Sequence, residues 1–393
     1  MLKTAANLAN LGTETAFDVL ARAARLDAAR RADGRSPVIN LGIGQPDFPT
    51  PDHVVEAAVK ALRDGHHGYT PAQGVPALRE AVAADLHARH GVEVDPGRVV
   101  VVPGGKPTMF FAMLMFGEPG AEILYPDPGF PIYRSAIEFT GAKAVPIPLR
   151  EENAFAFSAS DVIERMTERT RLVIVNSPAN PTGGVTPPEE MDKLAEALAE
   201  RPDVAVLSDE IYSTMLYDGR EHRSILQYPE LAGQAIMLDG WSKRYAMTGW
   251  RLGYAVWPEA LVERAVRLCV NDHSCVNAPT QYAGIAALEG PQDAAEAMVQ
   301  AFDERRRVTV DRLNALPGVR CVEPGGAFYA FPNIEGTGLE SRGLQDRLLE
   351  EAGVAAIAGP SFGLFGEGYL RISYANSTQN IEEAMDRMAA LLS

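Results

Sequence analysis

Short runs of apolar residues alternate with amphipathic stretches through the middle of the chain. Runs of strand length lie at 98–102, 121–125, 143–148, 171–175, 203–207, 234–238 and 251–256. Helical patterns lie between most of them, for instance at 52–64, 74–90, 106–116, 158–168 and 187–200. Continuous Val, Ile and Leu runs separated by helices are typical of a mostly parallel sheet that is buried on both faces. The pattern therefore predicts an α/β domain with helices on both sides of a central sheet.

The pattern changes after about residue 290. A long charged helix is expected at 293–315, followed by short strands near 319–322 and 327–331 and then by helix, strand and helix. A chain of 393 residues is also too long for one ordinary core. We therefore divide it into an arm with an N-terminal helix that packs against the smaller domain (1–42), a large ligand-binding domain (43–290) and a smaller α+β domain (291–393).

Composition excludes several classes of protein. The formal net charge is −16, whereas binding to nucleic acid requires a basic face. The three cysteines show no C-x-x-C spacing, so a disulfide framework or a metal site is not expected. No signal peptide is visible at the N-terminus, and no run approaches the ~18 apolar residues of a membrane span. These observations predict a cytoplasmic protein that binds neither nucleic acid nor membrane.

Polar or Gly- and Pro-rich segments follow five of the predicted strands. In open α/β sheets a ligand binds beyond the carboxyl ends of the strands, so these segments are candidates for a binding site. In chain order they read PGGKPTM, PDPGFPIY, NSPANPTGG, SDEIY and DGWSKRYAMTGWRLG.

The last of these segments contains Lys243. A lysine at the edge of a sheet can form a Schiff base with an aldehyde if its surroundings lower the pKa of its amine. Arg251, eight residues later, has a planar guanidinium suited to a phosphate group. The alternative is a surface lysine followed by an arginine in a salt bridge.

Asp209 ends an apolar strand, where a carboxylate is costly unless a cation pairs with it. A protonated pyridine nitrogen is such a cation, and Tyr212 could place its hydroxyl near the oxygen of the same ring. Asn180 precedes a proline, and its side-chain amide could donate to that oxygen. The alternatives are an Asp that caps a helix and an ordinary Asn-Pro turn.

Gly105 and Lys106 lie where a glycine turn meets a predicted helix. Free N–H groups at a helix N-terminus bind phosphate, although a Gly-Gly turn alone is weak evidence. Phe130 follows a strand and could stack on an aromatic ligand, or it could simply be part of the core.

Together these segments resemble the class I/II (fold-type I) pyridoxal-phosphate-dependent aminotransferases, of the aspartate-aminotransferase-like type. The resemblance runs from LGIGQPDF to YLRISYA and includes N-P-T-G, S-D-E-I-Y and SK-x5-G-x-R-x-G in this order. It implies a large domain with a mostly parallel seven-stranded sheet between helices, a smaller α+β domain, and pyridoxal 5'-phosphate as cofactor. Catalytic roles then fall to Lys243 as the Schiff-base lysine, Asp209 as the partner of the pyridine nitrogen, and Tyr212. Cofactor contacts are implied for Gly105, Lys106, Phe130, Asn180, Asp209, Tyr212, Ser242, Lys243, Arg251 and Tyr69. Substrate contacts are implied for Gly44, Arg371 and Asn180.

The resemblance also implies an activity and an assembly. An L-amino acid and a 2-oxo acid would exchange an amino group by ping-pong kinetics in a homodimer, with Tyr69 reaching the phosphate of the neighbouring subunit. Segment 271–277 (NDHSCVN) contains no arginine, so a strong preference for dicarboxylate substrates is not predicted. Two alternatives remain: elimination, replacement or cyclisation chemistry on the same cofactor, and a non-catalytic regulator, for which the sequence shows no basic recognition helix.

Overall fold

A computed structural model describes residues 2–12 and 15–393, together with all of their side chains except that of residue 16. Positions 1, 13 and 14 of the expected arm lie outside the described residues. The α-helices are α1 Thr15–Ala32, α2 Asp52–Arg63, α3 Pro76–His90, α4 Lys106–Phe116, α5 Ile132–Thr140, α6 Ala159–Arg165, α7 Pro188–Ala199, α8 Trp241–Arg244, α9 Glu259–Asp272, α10 Ala278–Glu289, α11 Asp293–Asn314, α12 Ser341–Arg347 and α13 Thr378–Leu392. The strands are β1 Ile39–Asn40, β2 Val99–Val102, β3 Glu122–Asp127, β4 Lys143–Pro148, β5 Thr170–Asn176, β6 Ala205–Asp209, β7 Ala235–Gly240, β8 Gly253–Val256, β9 Tyr329–Ala330, β10 Val354–Ala355, β11 Ile357–Ala358 and β12 Leu370–Ser373.

The central sheet has seven strands in the order β2-β8-β7-β6-β5-β3-β4. Neighbouring strands are parallel except at β8, which runs antiparallel to β2 and β7. Every residue of β2, β3, β6 and β7 is buried. Burial on both faces explains why these strands appear in the sequence as continuous apolar runs. The prediction of a mostly parallel α/β sheet is confirmed.

The register of this sheet brings three strand ends together. Asn176 at the end of β5 lies opposite Asp209 at the end of β6, and Asp209 lies opposite Leu238 of β7. Because β7 continues directly into the short helix α8, residues 242 and 243 follow at the same edge. Helix α4 begins four residues after β2 and has Pro107 in its first turn, where a missing N–H costs no hydrogen bond.

The C-terminal part contains two small sheets. Strands β11, β12 and β9 form an antiparallel sheet, and β1 from the N-terminal part pairs with β10 in parallel. Arg22 of α1 forms ion pairs of 2.8 and 2.9 Å with Asp346 and Glu350.

The prediction of a strand near 319–322 was wrong. Arg320 makes only an isolated bridge to Asn333. The backbone N–H and C=O of Cys321 are bonded instead to the side chain of Asn314, at 2.8 and 3.1 Å. A backbone whose polar groups are already bonded to a side chain does not need a strand partner.

In the described part of the chain, no helix combines the length and apolar character that a membrane crossing needs.

Candidate active site

A cavity of about 530 Å³ lies at the carboxyl edge of the central sheet, between the sheet and the C-terminal part. All but one of the site residues expected from the sequence line it; these are Gly44, Gly105, Lys106, Phe130, Asn180, Asp209, Tyr212, Ser242, Lys243, Arg251 and Arg371. The exception is Tyr69. The edge-of-sheet rule therefore identified residues that the fold brings into one cavity.

Lys243 lies in α8 and is half-buried in the cavity wall. Its Nζ donates a hydrogen bond of 2.5 Å to the carbonyl oxygen of Gly44. The same nitrogen lies 5.9 Å from the ring centre of Tyr212 and 5.6 Å from that of Phe328. The amine thus lies among the loop after β1, Tyr212 from the segment after β6, and Phe328, which directly precedes β9.

Asp209 is 3% exposed at the floor of the cavity. Its Oδ2 accepts a hydrogen bond of 2.6 Å from the hydroxyl of Tyr133, and its Oδ1 accepts one of 3.3 Å from the N–H of Ile211. Burial raises the pKa of this carboxyl to about 6, because the neutral donors only partly offset the loss of water. A cation placed beside Asp209 would restore its charged form.

One end of the cavity is built from a glycine turn and Arg251. Gly104 has a φ of +82°, and a Cβ built there would lie 2.1 Å from the Nη2 atom of Arg251. Arg251 also has a positive φ, of 54°, and its Nη1 donates to the carbonyl of Thr248 at 2.8 Å. Gly105 follows and is the residue that precedes α4, so the first N–H groups of that helix lie at the same place. This combination of a guanidinium and helix N–H groups suits a phosphate.

The opposite end contains Arg371, which is 4% exposed on β12. Its Nη1 donates to Oδ1 of Asn180 at 3.0 Å, and its Nη2 donates to the carbonyl of Gly42 at 2.6 Å. The rings of Tyr329 and Phe362 lie 4.7 and 4.6 Å from its Cζ atom. A fixed guanidinium of this kind suits a carboxylate.

Two further residues from the sequence analysis have distinct environments. Phe130 lines the cavity with its ring centre 5.4 Å from Nζ of Lys106. Tyr69 lies in the loop between α2 and α3 and is 94% exposed. It borders a separate shallow depression with His66, His67 and Cys275.

Sequence reasoning missed four residues of the site: Tyr133, Asn176, Tyr329 and Phe362. Asn176 directly follows an apolar strand, so the rule that found Asp209 could have found it too. Tyr133 lies three residues after Phe130 in the quoted PDPGFPIY. Tyr329 donates or accepts a hydrogen bond of 2.9 Å with the hydroxyl of Tyr212, and only the fold reveals this contact. Phe362 has no sequence signal that points to the site.

The residues fit pyridoxal phosphate. A buried carboxyl that needs a cation lies at the floor, a phosphate-binding turn lies at one end, and a lysine lies in the wall. The close approach of Arg251 to Gly104 requires glycine at that position, as expected of a turn that must admit a guanidinium beside a phosphate.

Comparisons with known proteins agree with this chemistry. A family model described as "Aminotransferase class I and II" matches residues 36–388. The chain is 40% identical over 364 residues to the aspartate aminotransferase of Pyrococcus abyssi, covering 92% of this chain and 93% of that protein. It is 39% identical over 364 residues to aromatic-amino-acid aminotransferase 2 of Thermococcus litoralis, with the same coverage. Among solved structures, the aspartate aminotransferase of Rhizobium meliloti superposes with a TM-score of 0.93 at 34% identity, over 100% of this chain and 99% of that one. The chain therefore belongs to the class I and II aminotransferases and is a pyridoxal-phosphate-dependent transaminase.

Proposed function

We propose that the cavity carries out both halves of an amino-group exchange between an L-amino acid and a 2-oxo acid, with Lys243 as the lysine that bonds to the cofactor aldehyde. The observation that carries this proposal is that Lys243, Asp209 and Arg371 meet in one cavity although they lie far apart in the chain. Each supplies one function that the exchange needs: a base, a partner for a cationic ring and a receptor for a carboxylate.

The cofactor would be held at three places. Arg251, Ser242, Lys106 and the N–H groups at Gly105 would bind its phosphate. Asp209 would keep the proton on its pyridine nitrogen. Asn180 and Tyr212 would donate to its phenolic oxygen, and since Oδ1 of Asn180 already accepts from Arg371, the amide NH2 group is the part left to donate. Phe130 would stack on the ring.

When bound, the cofactor supplies an electron sink for the bond that breaks at the substrate α-carbon. The remaining work falls to the chain. Arg371 binds the α-carboxylate and, together with Gly44, orients the substrate. Lys243 acts as general base at the α-carbon and later returns the proton. The aromatic wall near Arg371 excludes water from this step.

The residues that line the cavity also indicate which substrate side chains it accepts. Among the described residues that line the cavity, the guanidinium groups are those of Arg251 and Arg371, and both have roles in this proposal. The aromatic rings of Phe17, Tyr329 and Phe362 also line it. Relatives are named for aspartate and for aromatic amino acids. We therefore infer that aromatic and other neutral amino acids are donors in addition to aspartate.

Half-reactions with a panel of twenty amino acids test this proposal. The cofactor absorbance should change to that of the amino form with several neutral and aromatic donors, and a 2-oxo acid should reverse the change. Release of ammonia instead would favour elimination chemistry. Borohydride reduction followed by peptide mapping should label Lys243, and a label on another lysine would overturn its assignment.

We propose further that the active enzyme is a homodimer with shared sites. The support is the position of Tyr69, which is almost fully exposed and lies outside the cavity of its own chain. In an isologous pair each Tyr69 would reach the phosphate in the other subunit. Loss of one such hydrogen bond should cost ~1.5–3 kcal/mol, or about tenfold to a hundredfold in cofactor affinity.

Subunit mixing tests the shared site. Tyr69→Phe protomers and Lys243→Ala protomers, each inactive or impaired, should regain activity when they exchange, because one hybrid site then contains both native residues. Exchange without rescue, or a fully active monomer in sedimentation, would contradict the shared site.

We also propose a division into domains and a cellular location. Pairing of β1 with β10 supports the division into an arm (1–42), a large domain (43–290) and a small domain (291–393). All three cysteines are free thiols, which supports a reducing cytoplasmic location. Limited proteolysis should cut near the proposed boundaries, and fractionation of the source cells should recover the enzyme with cytosolic markers.

A further inference from the structure

A network of charged residues lies outside the lining of the cavity and adjoins the segments that carry Lys243 and Tyr212. It centres on Arg89 in the last turn of α3, whose side chain is only 14% exposed. Arg89 touches neither the cavity nor any group assigned to the cofactor or the substrate. Such a buried arginine is costly unless its donors are bonded, so its partners show what it holds.

The donors of Arg89 bond to four groups. Nε donates to Oδ2 of Asp85 at 2.8 Å, within the same helix. Nη1 donates to the hydroxyl of Ser213 at 3.1 Å. Nη2 donates to Oδ2 of Asp239 at 3.0 Å and to the hydroxyl of Tyr254 at 3.2 Å.

Two of these partners adjoin the proposed catalytic residues. Ser213 is the residue after Tyr212 and is 6% exposed. Asp239 lies four residues before Lys243, and its Oδ1 accepts from the N–H of Gly240 at 2.7 Å. One planar guanidinium therefore joins the segment after β6 to the end of β7.

A second arginine fixes the other side of the lysine. Arg244 directly follows Lys243 and donates to Oδ1 of Asp85 at 2.8 Å. Asp85 is thus shared by Arg89 and Arg244. Helix α8, which carries Lys243, is tied to helix α3 both before it, through Asp239, and at its end, through Arg244.

We propose that Arg89 is a positioning residue that fixes Lys243 relative to Tyr212 and Asp209. It acts through Asp239 and Ser213, and the inference rests on the proposed role of Lys243. A lysine cannot replace it, because an ammonium group lacks the planar fork that reaches several partners at once. A displacement of about 1 Å at a reacting group can cost roughly 100-fold in rate, so a small shift of α8 is enough to matter.

The test compares Arg89→Met and Arg89→Lys holoenzymes with the native enzyme. We expect kcat to fall by roughly 100-fold for Arg89→Met, with KM changed much less, because the substrate carboxylate is bound elsewhere. We also expect the pH midpoint of the bound-cofactor absorbance to move by about one unit, since this absorbance reports the surroundings of the Lys243 nitrogen. Compared with Arg89→Met, Arg89→Lys should recover more of the native stability than of the native absorbance midpoint.

Arg387→Lys is the matched control. Arg387 is also 14% exposed and bonds to Glu383 and to the backbone carbonyl of Pro37, far from α8. The Arg387→Lys variant should have a lower unfolding midpoint, with kcat and the absorbance midpoint unchanged. If Arg89→Met behaves like Arg387→Lys, Arg89 is only structural and the proposal is wrong.

If Arg89→Met does not fold, two milder variants test the same proposal. Ser213→Ala and Asp239→Asn should each move the absorbance midpoint in the same direction as Arg89→Lys. When either is combined with Arg89→Lys, the absorbance midpoint should shift little further, because all three substitutions disrupt the same contacts of Arg89. Full additivity would overturn the proposal. Failure of the proposed function would look different: the native enzyme itself would show no lysine-bound cofactor absorbance.

Discussion

Asp209 ends β6 and Glu210 directly follows it, yet these two neighbouring carboxyl groups have opposite environments. Both are buried, at 3% and 0% exposure. Asp209 faces the cavity and accepts hydrogen bonds from Tyr133 and Ile211, and burial raises its pKa to about 6. Glu210 is not among the residues that line the cavity.

Glu210 has its partners within the chain. Its Oε2 lies 2.9 Å from Nε2 of His222, and its Oε1 accepts from the hydroxyl of Ser208 and the N–H of Ile225, each at 2.9 Å. Burial alone would raise its pKa, but His222, together with His90 and the N–H of Ile225, outweighs burial and lowers the pKa to about 2.

The difference separates a carboxyl with a structural role from one that we assign to the proposed function. The protein itself stabilises the charge of Glu210, whereas the charge of Asp209 is stabilised only in part. In the proposed function the missing stabilisation comes from the cationic ring of the cofactor.

The largest effect is expected for Asp209→Ala. Activity should fall by roughly 1,000-fold, the upper range for loss of one preorganised electrostatic group, and cofactor affinity should fall as well. Steady-state kinetics at saturating cofactor and equilibrium dialysis measure the two effects. Asp203→Ala, at an exposed carboxyl just before β6, should change neither; nearly normal turnover in Asp209→Ala would show that another group pairs with the ring.

Glu210→Gln should act on stability and much less on turnover. The pKa of Glu210 is lowered, so its contribution to stability is present above pH 4.5 and is lost as the pH falls toward 2. The substitution should reduce the free energy of unfolding near pH 7 by roughly 3 kcal/mol, at about 1.4 kcal/mol per pKa unit. Urea unfolding between pH 3 and 8 checks this, with the exposed Glu196→Gln as control. A loss of cofactor affinity as large as that of Asp209→Ala would erase the contrast.

Asp209→Asn should have the opposite effect on stability: it should raise the free energy of unfolding of the cofactor-free protein. Because the pKa of Asp209 is raised, its carboxyl favours the folded state only while it is protonated, and that advantage is lost as the pH rises from about 3.8 through 6. Above pH 6 the variant should therefore be more stable than the native chain, by roughly 3 kcal/mol. Below pH 4 the two should unfold alike. A destabilised variant at pH 8 would mean that Asp209 has a cationic partner within the protein.

Tyr133→Phe should have the smallest effect. It removes the 2.6 Å hydrogen bond to Asp209 and leaves the ring in place. Such a bond contributes about 1.5–3 kcal/mol when its acceptor is charged, so cofactor affinity should fall about tenfold while kcat changes less. Fluorescence titration with the cofactor measures this, and Tyr125→Phe, whose hydroxyl bonds to Asp127, is a matched control that should bind normally.

Much of the fold could be read from the sequence because the signals are local. The runs that became β2 to β8 are mostly apolar. Every residue of β2, β3, β6, β7 and β8 is buried, and strands buried on both faces appear in a sequence as such runs. Helix α4 begins and ends where the sequence predicted, at 106 and 116, since Gly105 and Gly117 flank it. The segment at 319–322 shows the limit: its apolar residues resemble a strand, but a side chain seven residues away satisfies the backbone of Cys321.

The site divides in the same way. Residue type and position after a strand selected Lys243, Asp209, Tyr212 and Asn180, because parallel strands must end at a common edge. That reasoning did not reveal that Tyr133, from α5, donates to Asp209, or that Arg89, from α3, joins Ser213 to Asp239. Nor could it separate Asp209 from Glu210, which are adjacent in the chain. Their opposite pKa shifts depend on which partners lie within hydrogen-bond distance. Tyr133 lies 76 positions from Asp209 in the chain and His222 lies 12 positions from Glu210, and only the folded chain shows that they meet. The sequence alone thus determined which chemical groups lie at the edge of the sheet, and the tertiary structure decided their charge, because a buried charge depends on neighbours that local sequence does not specify.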